Sequence, residues 1–527
     1  MGHPSGQGGA VVGIDLGTTN SVVATVLNNA VEVIRDRNGT GLVPSAVAFV
    51  PNGETLVGRR ARERALLDPQ NTISSAKRII GRPCSAPETQ RIIAQLPYTV
   101  SPGPNDGPII HTRAGEKSVI EISTRILSHL RAGAEQRLGQ PVTGCVVTVP
   151  ANFSDGQREA TRRAAVAAGM SVLRILNEPT AAAVALALGG DGYRRIGVFD
   201  LGGGTFDFTV LAVHDGLFEV LATGGEAYLG GDDFDAVLAD RFAEGFLRQH
   251  RVDLNADPNA RARLLSAAQS VKVALSEQGM LDGVIQNIAY GLDGHELSVD
   301  YSISRADFEA LIAQQIDRAM DTTKRVLAEA NLAPRDIHEV ALVGGSTQIP
   351  LVRRRVTRLF GVEPNTTANP LETVAVGAAL HANALWTAAQ APPTAAAPPD
   401  EPGVGLLMDV TSHALGVATV GDNVQILIGK NTTIPCEGNH IFSTVRDNQR
   451  EVTIRICQGV AQRFSESVLL GELQLTHLHP APRGETQVAV EFIVDANGIL
   501  QVSARDLATG QQTGAVLSVR GLEPAAR

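Results

Sequence analysis

The residues most able to do chemistry lie in Ile196-Gly-Val-Phe-Asp-Leu-Gly-Gly-Gly-Thr-Phe-Asp-Phe-Thr-Val210. Two apolar, strand-like runs flank a turn made of Gly202, Gly203 and Gly204, with Asp200, Thr205 and Asp207 beside it. Glycine lets the backbone turn tightly and bring its amides close to a ligand. A row of such amides cradles an anion, and adjacent carboxylates can hold a hydrated cation against it. Alone, the stretch reads more readily as an ordinary hairpin turn. A second copy changes that reading. Val11-Val-Gly-Ile-Asp-Leu-Gly-Thr-Thr-Asn-Ser21 repeats the order of apolar strand, acid, leucine, glycine and small hydroxyl residues. Two such hairpins imply two related lobes clamping one phosphate chain.

The elements that must position these groups alternate between strand and helix. Residues 119–138 have helical period and end near Gly139, and Gly144-Cys-Val-Val-Thr-Val-Pro150 is a buried strand stopped by proline. An alanine-rich helix follows from Asp155 towards Gly169. Val172-Leu-Arg-Ile-Leu-Asn-Glu-Pro-Thr-Ala-Ala-Ala183 reads as a strand, a polar corner and a helix starting at Pro179, a position where proline is tolerated. Glu178 therefore occupies a strand-to-helix corner, where α/β folds place functional groups, although capping that helix explains it equally. Lys77, among apolar neighbours in residues 71–81, taken alone is a solvated surface lysine. Residues 222–235 form another glycine-and-acid turn, with Gly230 and Gly231, and a helix from Asp257 to Gln278 carries Gln269, Lys272 and Ser276. Val340-Ala-Leu-Val-Gly-Gly-Ser-Thr-Gln-Ile-Pro350 is again strand, glycine turn and helix start. This alternation predicts α/β lobes with ligand sites at strand ends.

With 527 residues the chain exceeds one ordinary domain and predicts about three or four units. A formal charge of −10 argues against nucleic-acid and anionic-membrane partners. The 4 cysteines (Cys84, Cys145, Cys436, Cys457) are scattered, which predicts reduced structural thiols and neither a zinc site nor a disulfide framework. The first residues lack the basic and apolar segments of a secretion signal, and the apolar run 180–188 is too short to span a bilayer. A soluble, cytoplasmic protein is expected. Composition changes abruptly at Thr387, where an Ala/Pro-rich stretch predicts an extended linker. Beyond it, Glu451-Val-Thr-Ile-Arg-Ile-Cys457 and Gln487-Val-Ala-Val-Glu-Phe-Ile-Val494 alternate with period two, and Asp495-Ala-Asn-Gly498 is a hairpin signal, so a β-sandwich is expected. The expected units are an α/β part over 10–386, a linker over 387–408 and an all-β part over 409–522.

Neither a Gly-x-x-x-x-Gly-Lys-[Ser/Thr] loop nor Gly-x-Gly-x-x-Gly occurs. The paired hairpins instead resemble those of the actin-like (ribonuclease H-like) ATPase fold shared by actin, sugar kinases and DnaK-type chaperones. The wording is most similar to the DnaK-type chaperones of the heat-shock protein 70 family. Gly13-Ile-Asp-Leu-Gly-Thr-Thr-Asn-Ser21, Asn177-Glu-Pro-Thr-Ala-Ala-Ala183, Asp200-Leu-Gly-Gly-Gly-Thr-Phe-Asp207, Val343-Gly-Gly-Ser-Thr347, Lys430-Asn-Thr-Thr-Ile-Pro435 and, more loosely, His479-Pro-Ala-Pro-Arg-Gly484 carry the resemblance, which runs from about residue 11 to 507.

The resemblance implies a two-lobed α/β ATPase domain followed by an all-β sandwich, and an ATP-dependent chaperone acting on extended apolar peptides. It assigns Thr18, Thr19 and the amides of Gly202 to Gly204 to the phosphates of ATP or ADP, with Gly17, Asn20, Gly230, Gly231, Gly344, Gly345 and Ser346 in the same site. Asp15 and Asp200 would hold hydrated Mg²⁺, and Asp207 would help to place K⁺. Lys77 would neutralise the transferring phosphoryl group, Glu178 would position the attacking water, and Thr205 would offer its hydroxyl to the γ-phosphate. Lys272 and Ser276 match the family's adenosine contacts. Gln269 stands where the family has an acidic ribose contact, and Gln348 where it has an adenine-stacking arginine, so weaker ATP binding is expected.

Pro150, Arg158 and Arg174 match the family's coupling residues, whereas Asn152 replaces a tyrosine. The linker motif reads Gly405-Leu406-Leu407-Met-Asp409, keeping its apolar residues and aspartate. The implied peptide cleft comprises Val417, Val420, Ile441, Phe442, Val445, Val452, Ile454 and Leu478; without the resemblance each reads as plain core. The family's helical lid is not matched, so a cleft that exchanges peptide quickly is expected. Implied partners are a J-domain co-chaperone and a nucleotide exchange factor, with the chain a monomer. Two other readings remain open: a divergent nucleotide-sensing scaffold or exchange-factor-like relative, and a small-molecule kinase of the same fold.

Overall fold

The computed structural model describes residues 9–186, 193–214, 217–290, 295–365, 368–390 and 407–516. Both glycine-and-acid turns join antiparallel strands at matching places in two sheets of similar plan. In the first sheet, Ala10–Asp15 pairs antiparallel with Asn20–Leu27, which pairs with Ala30–Val33. Its other edge runs parallel to Val142–Val149, and that strand runs parallel to Ser171–Asn177. In the second sheet, Arg194–Leu201 pairs antiparallel with Phe206–His214, which pairs with Leu217–Glu226. The parallel neighbour of Arg194–Leu201 is Glu339–Val343. Strands covered on both faces read as continuous apolar runs, and residues 196–201 are all buried.

The two sheets meet through two helices, Glu178–Leu186 and Thr373–Gln390, made largely of alanine and glycine. Small side chains let the backbones approach closely. A Cβ on Gly377 would lie 1.7 Å from the carbonyl oxygen of Ala181, and one on Gly13 would lie 2.0 Å from the amide nitrogen of Ala379. A shared core of Val146, Leu176, Ala181, Ile196, Val343 and Ala378 joins the lobes at this crossing. Each lobe also has its own larger core. Outside the crossing, helix ends follow local signals: Ser118 and Glu121 form a capping box for Val119–Leu138, and Gly139, with φ of 67°, ends it.

The linker limits need correction. Thr373–Gln390 is helical to its last residue, so residues 387–390 belong to the lobe. Thr387, Ala388 and Ala389 continue the helix to Gln390, and alanine is the strongest helix former. Residues 391–406, which include Gly405 and Leu406, lie outside the described residues, as do 517–522. Leu407–Val410 is a strand that pairs parallel with Leu217–Glu226 and antiparallel with Thr433–Ile434. The boundary expected at 408/409 therefore falls inside one strand, which extends the sheet of the second lobe towards the last unit.

That last unit is two four-stranded antiparallel sheets. One has the order Val424–Ile428, Leu415–Ala418, Glu451–Gln458, Val468–Thr476; the other runs Cys436–Ser443, Gln487–Val494, Leu500–Asp506, Gln512–Val516. Their facing sides share a core that includes Leu415, Ile454, Ile456, Val490, Phe492 and Val502. Period-two alternation produces it, as in Gln487–Val494, where 488, 490, 492 and 494 are buried.

The helix crossing makes a direct prediction. Gly377→Ala should destabilise the protein by about 1–3 kcal/mol through overpacking against Ala181. Thermal unfolding measures this, and an unchanged midpoint would refute the close-crossing account.

Candidate functional site

The two hairpin turns face each other across a cleft of about 1390 Å³. Its walls include Asp15, Gly17, Thr18, Thr19, Asn20, Lys77, Glu178, Asp200, Gly202, Gly203, Thr205, Gly231, Gln269, Lys272, Ser276, Gly344, Gly345, Ser346 and Gln348. The turns nearly touch: a Cβ on Gly203 would lie 2.0 Å from Thr19 Oγ1. A third turn is laced to the central one, since the amides of Gly231 and Asp232 donate to the carbonyls of Gly202 (3.0 Å) and Gly203 (2.7 Å). Ser346 Oγ donates to the Gly202 carbonyl at 2.8 Å. Gly344 has φ of 82°, a left-handed conformation that a side chain would strain, and a Cβ there would lie 2.4 Å from the Leu201 carbonyl oxygen. Gly204 and Gly230 are not on the cleft surface; they pack against Arg78 and Gly203 respectively.

Charge in this cleft is unbalanced. Lys77 sits on the short helix Ala76–Ile79 and pairs with Glu178 at 2.6 Å, with both side chains buried. Its amine also lies 5.5 Å from the centre of the Phe153 ring. Asp15, Asp200 and Asp207 stand close by, also buried except for a partly exposed Asp15. Burial, reinforced by Glu178, raises Asp15 to about 7 and Asp207 to about 8, and lifts Asp200 well above the carboxylate range. Neither carboxylate oxygen of Asp207 has a hydrogen-bond partner of good geometry. Among the described residues, no three His, Cys, Asp or Glu groups converge closely enough to chelate a bare ion. An excess of buried carboxylate with unpaired oxygens fits a cation that keeps its water shell, as Mg²⁺ does.

On the side expected to hold adenosine, the polar side chains line the cleft and bond to the protein itself. Lys272 Nζ donates to the Gly231 carbonyl and to Asp235, both at 2.9 Å, which ties it to its own lobe. Ser276 Oγ donates to the Lys272 carbonyl at 3.3 Å. Gln269, expected beside a ribose, accepts a hydrogen bond from Arg62 of the opposite lobe. Further bridges cross the cleft: Ser75 Oγ to Asp232 at 2.7 Å, Arg78 to Asp233 at 2.9 Å, and Thr19 Oγ1 to Asp232 at 3.4 Å. Sequence reasoning missed Arg62, Ser75, Arg78, Asp232 and Asp233. The acid pair after Gly230-Gly231 was the one local signal for them.

The cleft is one residue away from the boundary with the sandwich. Asn177, next to Glu178, donates from Nδ2 to Asp409 at 2.7 Å and accepts from Arg158 Nη2 at 2.7 Å. Arg158 also donates to the Ala151 carbonyl at 3.2 Å, just after Pro150, whose own carbonyl accepts from Phe153. Arg174 Nη1 donates to the Ala496 carbonyl at 3.2 Å, and the Ile175 amide donates to Asn497 Oδ1 at 3.0 Å. Lys430 of the sandwich pairs with Glu329 at 2.6 Å. Asn152 leaves its side-chain oxygen buried without a partner.

In the sandwich, Val417, Val420, Phe442, Val445, Val452, Ile454 and Leu478 line an open cleft of about 2580 Å³. Val417, Ile454 and Leu478 are buried and form its floor, while Val420 and Val445 are exposed at its mouth. Ile441 does not belong to this set. Successive residues of Cys436–Ser443 face opposite sides, so Phe442 turns to the cleft and Ile441 to solvent, 52% exposed.

The chain matches the model of the Hsp70 protein family over residues 11–521. It belongs to the Hsp70 family. Members of that family are ATP-dependent chaperones, and ATP hydrolysis and peptide substrates are family properties. Among the described residues, no helix is long and apolar enough to cross a membrane.

The acid cluster predicts a pH dependence. Asp15, Asp200 and Asp207 hold protons more tightly in the fold than in the unfolded chain, where an aspartate titrates near ~3.9. Their contribution to stability is therefore complete below that value. It is lost progressively as pH rises from there to about 7 and about 8, above which no more is lost. Without nucleotide or divalent ion, the melting temperature should fall over that range. Asp207→Asn should flatten the fall, and an equally steep fall in that variant would contradict the assignment.

Proposed function

We propose that the chain is an ATP-dependent molecular chaperone of DnaK type, in which ATP hydrolysis in an actin-like domain modulates binding of extended apolar peptides by the β-sandwich. The duplicated strand order of the two lobes supports the actin-like reading. One observation carries the coupling. Asn177 and Glu178 are consecutive, and one reaches Asp409 at the sandwich boundary while the other reaches Lys77 in the cleft. A change at the phosphate end thus needs to move only one corner of backbone to be felt by the strand that carries the sandwich.

In this reading the amides of Gly202 and Gly203, of the three glycines expected there, and the turn at Thr18 and Thr19 hold the phosphates. Lys77 leaves Glu178 to neutralise charge developing on the transferring phosphoryl group, and the freed Glu178 carboxylate orients the attacking water. Thr205 donates its hydroxyl to the γ-phosphate. Phosphoryl transfer needs mainly positioning and charge neutralisation, which this set supplies. Asp15 and Asp200 would hold a hydrated Mg²⁺, which supplies charge neutralisation at the phosphates, and Asp207 would serve a K⁺ ion. Peptide binding would combine main-chain hydrogen bonds with the apolar floor of Val417, Ile454 and Leu478. A J-domain co-chaperone and an exchange factor complete the proposal, with the chain working as a soluble cytoplasmic monomer.

A nucleotide-sensing scaffold is the second reading, favoured by Gln269, which engages Arg62, and by the neutral Gln348. Release of a labelled leucine-rich peptide, measured with ATP, with ADP and without nucleotide, separates the two. The chaperone reading expects ATP to accelerate release. It also expects Thr205→Ala to slow single-turnover hydrolysis by about 10²–10³-fold while ATP still triggers release. Release that ignores nucleotide would defeat it. Separately, Gln348→Arg should tighten ATP binding by about 0.5–2 kcal/mol through stacking on the base. Calorimetry checks this, and unchanged affinity would sink that account of weak binding.

A further inference from the structure

Behind the phosphate turns lies a second cavity of about 1160 Å³ between the lobes. It shares Thr18, Thr19 and Gln269 with the nucleotide cleft and is otherwise separate from it. The partition is made of side-chain bridges: Asp232 with Thr19 and Ser75, and Arg62 with Gln269. Three arginines line the chamber, Arg62, Arg78 and Arg261, against the carboxylates of Asp232 and Asp235. Asp235 is already paired with Lys272 at 2.9 Å. Arg78 is buried and pairs with Asp233 through Nη2, while its Nε has no partner. Arg62 bonds to the neutral amide of Gln269 and has no carboxylate within ion-pair distance among the described residues. A glutamate at position 269 would neutralise that guanidinium; glutamine leaves its charge available.

We propose that this chamber is the exit for inorganic phosphate, so that phosphate leaves by a different face from ADP. The inference rests on the ATPase reading above. Hydrolysis forms a bond from the water oxygen to the γ-phosphorus and breaks that phosphorus's bond to the bridging oxygen, which leaves with its electron pair on ADP; the free phosphate carries the water's oxygen and one of its protons, and the other proton passes to solvent. ADP then fills the cleft towards Lys272, Ser276 and Gln348 and closes that way out. The freed anion lies at Thr18 and Thr19, the residues common to both cavities. Lys77 borders the cleft and the adjacent Arg78 borders the chamber, so consecutive cations lead from one to the other. Arg62 then draws the anion towards solvent, where its side chain is exposed. A positively lined passage raises local anion concentration and speeds passage in this way.

The test measures three rates on the full chain: single-turnover hydrolysis by chemical quench, phosphate appearance with a fluorescent phosphate sensor, and release of a fluorescent ADP analogue. Ala262→Phe fills the chamber wall away from the nucleotide, and Arg62→Gln removes the unpaired charge at an exposed position that folding tolerates. Ala262→Phe should leave hydrolysis and ADP release at wild-type rates and slow phosphate appearance by about tenfold, and Arg62→Gln, which also loses the bond to Gln269, should slow phosphate appearance by a similar factor relative to its own hydrolysis and ADP release. Arg62→Gln should also make phosphate release less sensitive to salt than in the wild type. If hydrolysis proceeds and both variants release phosphate at the wild-type rate, the exit lies elsewhere and the ATPase reading stands. Absence of hydrolysis in the wild type would remove both.

Discussion

The arrangement depends on one buried lysine set among carboxylates. Lys77 neutralises Glu178 at 2.6 Å, while Asp15, Asp200 and Asp207 remain near it with no comparable partner. Burying several acids around one cation is unfavourable unless protons, metal ions or further cations share the site. The cost explains the architecture around it. The three aspartates are held at or next to strand ends, Asp200 and Asp207 buried and Asp15 partly exposed, and Glu178 begins the helix at the adjoining corner. The same constraint makes the cleft responsive, because adding a polyanion with its counter-cation redistributes every charge in it at once.

That redistribution has a short path outward. The strand-to-helix corner at residues 177 and 178 belongs to both the cleft and the sandwich boundary, and the helix it starts crosses Thr373–Gln390 at a contact permitted by Gly377. A crossing built from alanine and glycine keeps backbones in contact with few side chains between them. Relative rotation of the lobes there costs little repacking, while separation of the lobes would expose the shared core. The fold thus permits hinge-like motion and resists pulling apart.

What was legible in the sequence was local. The paired hairpins could be read because turn glycines, acids and hydroxyl residues are adjacent in the chain, and helix ends could be read because capping signals lie within four residues. Period-two alternation announced the sandwich, and the same rule applied residue by residue separates Ile441 from Phe442. The cross-cleft bridges were not legible. Arg62 and Gln269 are 207 residues apart, Ser75 and Asp232 157, and Arg78 and Asp233 155; no local pattern marks such pairs. The helix runs past the change of composition at Thr387 because alanine prolongs a helix, whereas proline ends one.

The short strand at residues 407–410 has a mechanical consequence. It is held by two residue pairs on the lobe side, at 407 and 408, and by two on the sandwich side, at 409 and 410. Alongside the contacts of Arg174, Ile175 and Lys430 across the same boundary, it forms a joint whose pairs can open one at a time instead of shearing as a long ladder. Such a joint gives way at low force and re-forms without search, since both of its flanking strands stay in place.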